Sequence, residues 1–179
     1  MKHLSIIVLT LSLIVLQSFT CNNIPAKNAE FISYLEKHGK NLAPTYESAN
    51  CVEFLDKVLT NFSKIDEKTS ERIYINYDIR TVERLLVRGD STIVSGVCWA
   101  LVSCNKAHWI KPKDAKVGDI IQYWSTDGFT NGHCGVICGE DETGYLLYSS
   151  HQDSEGFGVM QVKNKTVYKN MKLFIVRLN

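Results

Sequence analysis

Hydrophobic spacing changes from a helical to a strand period partway along this chain, and that switch decides which folds are open to it. In residues 28–38, Phe31, Ile32 and Leu35 fall on one helical face, and Gly39 is placed to end the segment. A loop with Pro44 follows. Asn50 is a good N-cap, after which Val52, Leu55, Leu59 and Phe62 recur at helical spacing, so Cys51 falls in the first turn of an amphipathic helix. Residues 67–72 are charged and read as surface. Residues 78–87, with Val82, Leu85 and Leu86, read as another helix closed by Gly89-Asp90, and residues 92–104 as a further apolar helix despite Gly96. The period then shortens. Residues 119–124, 133–138, 145–150, 158–162 and 173–178 read as strands, with a turn over 128–132. Helices first, strands later and short connections predict an α+β domain on an antiparallel sheet.

The first twenty residues are expected to lie outside that fold. Lys2 and His3 precede an apolar run from Leu4 to Leu16 and a polar exit, the order of a secretory signal. The run is shorter than the roughly 20 residues that a spanning helix needs. Ser18-Phe19-Thr20-Cys21 resembles a bacterial lipobox, so export is expected to the periplasm or cell envelope, with membrane attachment through a lipidated Cys21 or plain cleavage nearby. The expected division is a leader over 1–20, an N-terminal extension with one helix over 21–42 and a single domain over 43–179. Twenty basic and nineteen acidic side chains nearly cancel, which argues against a nucleic-acid partner. A monomer is expected.

Six cysteines raise the question of a disulfide framework. Cys134 and Cys138 would stand about 13 Å apart along one strand, and Cys98 and Cys104 about 9 Å apart by helical rise, so neither pair can bridge internally. Pairing across the two groups stays open. Several of these thiols read as small buried hydrophobes.

Cys51 asks for a different explanation. A helix start carries partial positive charge and favours the thiolate, which is the nucleophilic form. First-turn N–H groups without helical partners could receive the oxyanion formed when a carbonyl is attacked. His133 begins an apolar strand in Asn131-Gly132-His133-Cys134-Gly135-Val136. Strand alternation sends it away from Cys134, Val136 and Cys138, which would face the core. The same alternation, with a non-standard spacing, argues against His133, Cys134 and Cys138 as metal ligands. A third group would orient the imidazole. The segment Tyr148-Ser149-Ser150-His151-Gln152-Asp153 ends the following strand, and His151 or Gln152 is expected to reach His133.

Taken in order, Asn50-Cys51-Val52-Glu53-Phe54 at a helix start, Val117-Gly118-Asp119-Ile120-Ile121-Gln122-Tyr123-Trp124 entering a strand, and Gly132-His133-Cys134-Gly135-Val136 opening the next resemble the NlpC-like cell-wall cysteine peptidases and their CHAP amidase relatives. The resemblance implies a papain-like fold, with helices on a central antiparallel sheet. It implies hydrolysis of amide bonds in peptidoglycan peptides through a thioester, with no cofactor or metal. Cys51 would be nucleophile, His133 base and His151 orienter, while Tyr46 would help stabilise the oxyanion and Gln152 is the alternative orienter. The chain has Asn50-Cys51-Val52-Glu53 where the family commonly has Asp-Cys-Ser-Gly. Two other functions fit the same pattern: a transglutaminase-like acyltransferase, and an inactive envelope-binding protein. Gly118 and Asp119 read as structural, a tight turn and a holder of loop amides.

Overall fold

The computed structural model describes residues 24–75, 96–125, 132–142, 144–163 and 171–179. Among the described residues four helices come first: α1 (Ala26–Leu42), α2 (Cys51–Phe62), α3 (Glu67–Ile73) and α4 (Val97–Ser103). Six strands follow: β1 (Ala107–Ile110), β2 (Ile120–Ser125), β3 (Gly132–Glu140), β4 (Gly144–His151), β5 (Gly156–Lys163) and β6 (Met171–Leu178). They form one antiparallel sheet in the order β1-β6-β2-β3-β4-β5. The α+β expectation is met among the described residues. The helix expected over 78–87 and the start of the one expected over 92–104 lie outside them.

Strand alternation splits the apolar side chains between two faces. Ile120, Cys134, Val136, Val176 and Leu178 pack with Phe31, Leu35, Phe54, Leu55, Leu59 and Leu101 from the helices. Ile121, Tyr123, Ile137, Tyr145, Leu147 and Ile175 form a second cluster on the other side. The helix assigned to an N-terminal extension belongs to this architecture, since Phe31 and Leu35 are wholly buried in the first cluster.

Three local details depart from the sequence reading. Gly39 does not end α1. The helix runs to Leu42, and a Cβ at position 39 would stand 2.5 Å from the Phe157 ring, so glycine there permits a close approach. Residues 67–72 are helical, because Asp66 caps α3 by accepting from the Thr69 amide at 2.8 Å. Cys138 does not share the core position of Cys134: pairing of β3 with β4 shifts register between Ile137 and Gly139, which leaves Cys138 at the irregularity and half-buried.

The Gly118-Asp119 pair has the structural role expected of it. Gly118 has a φ of 89°, and the Asp119 carboxylate accepts from the Lys116 amide at 2.8 Å. That carboxylate is wholly buried and also receives the Arg177 guanidinium at 2.7 and 2.8 Å and the Asn28 amide at 2.9 Å. One aspartate thereby ties the first helix and the last strand to the entry of β2.

Candidate active site

Asn50 fixes where α2 begins. Its side-chain oxygen accepts from the amides of Val52 and Glu53 at 2.9 and 3.1 Å, while Glu53 accepts from the Asn50 amide at 2.9 Å. This reciprocal cap sets Cys51 as the first helical residue. It also alters the oxyanion expectation. The amides of Val52 and Glu53 are occupied by the cap, and that of Phe54 donates to the Asn50 carbonyl. Among the described residues the Cys51 N–H is the first-turn donor left without an acceptor.

The loop before α2 is held on three sides. The Phe157 amide donates to the Ala43 carbonyl at 2.9 Å, Lys57 Nζ donates to the Ser48 carbonyl at 2.9 Å, and Ser150 Oγ donates to the Ala49 carbonyl. Tyr46 rides on this loop, half-buried; its phenol is pushed up by burial and then by the charges at Cys51 and Glu53. The structure therefore brings Tyr46 near Cys51.

The Cys51 thiol lies within hydrogen-bonding reach of two groups from β3, the Cys134 thiol and the His133 ring. The bond from Cys134 is the stronger influence; with the bond and charge of His133 it outweighs burial and brings Cys51 down to about 4. Cys134, hydrogen-bonded to Cys51 and fully buried, is driven the other way and stays protonated. Burial pushes the Cys98 and Cys138 thiols up, Cys138 to about 11. Cys51 thus has a thiolate environment that these two lack.

His133 is oriented by Ser149, a residue that sequence reasoning passed over. Ser149 Oγ stands 2.9 Å from His133 Nε2 and donates to the Cys134 carbonyl at 2.8 Å. A hydroxyl has one hydrogen. With it committed to the carbonyl, Ser149 must accept from Nε2–H, so the neutral ring keeps its lone pair on Nδ1 for the thiol. Ser149 is wholly buried, and water does not compete for these bonds.

His151 and Gln152 do not take that role. His151 ends β4 as expected, and its proximity to His133 is electrostatic: burial and then the His133 charge pull it down. Its Nε2 is buried and has no hydrogen-bond partner. Gln152 is exposed in a short 3₁₀ turn over Gln152–Ser154. Ser149 and His151 share a face of β4, and Ser149 is the one that meets the ring. A lone serine in Tyr148-Ser149-Ser150 carries no sequence signal of this role.

Among the described residues no group of three His, Cys, Asp or Glu side chains is arranged to hold a metal ion. No described helix is long and apolar enough to cross a membrane. A scan against protein-family models finds no match for the chain, and a search of curated proteins finds none either. What the residues themselves define is a helix-start thiol, an imidazole beside it, and a buried hydroxyl that orients the ring.

Proposed function

We propose that this protein is a cysteine hydrolase of the papain-like, NlpC/CHAP type that cleaves amide bonds in peptidoglycan peptides. One observation carries the chemistry: the Cys51 thiol within reach of a His133 ring whose Nε2 is bonded to Ser149. The Cys51 thiolate attacks the amide carbonyl. The oxyanion receives the unoccupied Cys51 N–H, and the Tyr46 hydroxyl is a side-chain candidate to assist. His133 gives its Nδ1 proton to the leaving amine, which departs and leaves a thioester. The ring, neutral again, takes a proton from water as that water attacks the thioester; the Cys51 thiolate is expelled and the starting pair is restored. Ser149 keeps the ring aligned through both transfers.

The substrate class rests on the motif order and the export-type leader, which would bring the enzyme to the cell wall. Purified muropeptides incubated with the mature protein should yield new fragments heavier by one water in sum. Cys51→Ala and His133→Ala should each abolish them. If the folded chain, with Cys51 reduced, releases nothing from muropeptides of several cross-link types, this substrate class is excluded.

A further inference from the structure

Two neighbouring serines on β4 pin two separate cysteines against one another. Ser150 Oγ holds the carbonyl of Ala49, two residues before Cys51, and Ser149 Oγ holds the carbonyl of Cys134. The backbones carrying the thiols are thus fastened to adjacent points of one strand, and the two thiols lie in one buried cluster, each the leading influence on the other's proton. Cys134 favours the Cys51 thiolate, yet hydrolysis by Cys51 and His133 asks no bond making of a second thiol. The two sulfurs also differ in access. Cys51 is 9% exposed and Cys134 1%, so a reagent from solvent meets Cys51 first. Both are free thiols.

We propose that Cys134 is a resolving thiol, which lets Cys51 close reversibly into a Cys51–Cys134 disulfide when a low-molecular-weight disulfide enters the site. In the first step the Cys51 thiolate forms an S–S bond with one sulfur of the reagent. The other half leaves as a thiolate and takes a proton from the imidazolium or from water. In the second step Cys134 attacks the Cys51 sulfur and gives up its proton. The second half of the reagent leaves and carries that proton away as a thiol. Two electrons pass from the protein thiols to the reagent, and one disulfide replaces another. The closed form has no nucleophile, yet it shields Cys51 from stepwise oxidation to sulfinic acid, which thiols do not reverse. An exported enzyme meets such oxidants in its compartment.

The inference needs the two sulfurs side by side and does not need the hydrolytic reading. The test treats the reduced full chain with oxidised glutathione at neutral pH and maps peptides by mass spectrometry without reduction. The expected product is a Cys51–Cys134 link, two hydrogens lighter than the reduced chain, with iodoacetamide labelling of Cys51 lost and then restored by dithiothreitol. Cys134→Ser should instead retain one glutathione on Cys51. The same link in Cys138→Ser identifies position 134 as the partner, and serves where Cys134→Ser does not fold. A stable glutathione adduct on Cys51 in the unaltered chain would overturn the proposal. So would a link from Cys51 to another cysteine, or an unmodified Cys51. These outcomes are read whether or not muropeptides are cleaved.

Discussion

A thiol held near 4 is reactive where an ordinary cysteine is not. Because the Cys51 value is depressed, the thiolate is the form present above about 4 and is lost as pH falls through it. Iodoacetamide should alkylate Cys51 at a nearly constant rate from about pH 5 upward, whereas a free thiol gains rate until about pH 8.5. The sign for stability is the same: the thiolate's contribution is complete above the unfolded value and disappears as pH falls through the folded one. Cys134→Ala should move the alkylation midpoint upward, and His133→Ala should do so too, since both partners favour the charged form. A midpoint near 8.5 in the unaltered chain would remove the physical basis of the site. Ser149→Ala tests the tautomer argument. It frees the ring, and turnover should fall about 100-fold, the scale of a small misplacement of a catalytic group. Ser149→Thr, which keeps a hydroxyl, should recover part of that loss, with folding checked by circular dichroism. Cys51 and His133 were legible because a helix cap and a strand onset are local signals. Ser149 and Cys134 were not, because their roles come from register between strands and from a helix start that crosses above them.

Elements were read best where the hydrophobic period was long. The helix beginning at Cys51 and five of the six strands fell where spacing put them. β1 went unread because four residues, two of them exposed, carry too short a pattern. The misread end of α1 has a clear cause: glycine is both a helix terminator and the residue for close packing, and only tertiary structure tells the two apart. Gly39→Ala turns that distinction into an experiment. Helix propensity alone favours alanine by roughly 1 kcal/mol. The added methyl, however, would meet a Phe157 ring that packs against Phe54 and Tyr148 at 5.3 Å between centroids in each case. Overpacking of this kind costs about 1–3 kcal/mol, so the midpoint of denaturant unfolding should fall. A rise would mean that the ring moves aside freely and that Gly39 is a helix feature after all.

Across the whole molecule, the first helix and the last strand are joined at one buried charge, and this bears on where the domain begins. The family resemblance begins near residue 43 and suggests an extension ahead of it. The structure instead places Asn28, on α1, and Arg177, on β6, at the same Asp119 carboxylate. Such a contact between positions about 150 apart leaves no trace in periodicity, because it depends on which strand neighbours which. It also predicts an asymmetry. Arg177→Ala removes the guanidinium paired with that carboxylate, while Asn28 and the Lys116 amide still donate to it. Breaking a buried ion pair from one side typically costs about 3 kcal/mol or more, because the remaining charge stays desolvated. Asn28→Ala leaves the ion pair intact and should cost less, about 1 kcal/mol for one hydrogen bond to a charged group. Unfolding curves in urea would rank the two. The thiolate chemistry at Cys51 lies on other elements, so alkylation of the folded fraction should proceed at an unchanged rate in both variants, and a slowed rate would show that the anchor reaches the site through β2 and β3.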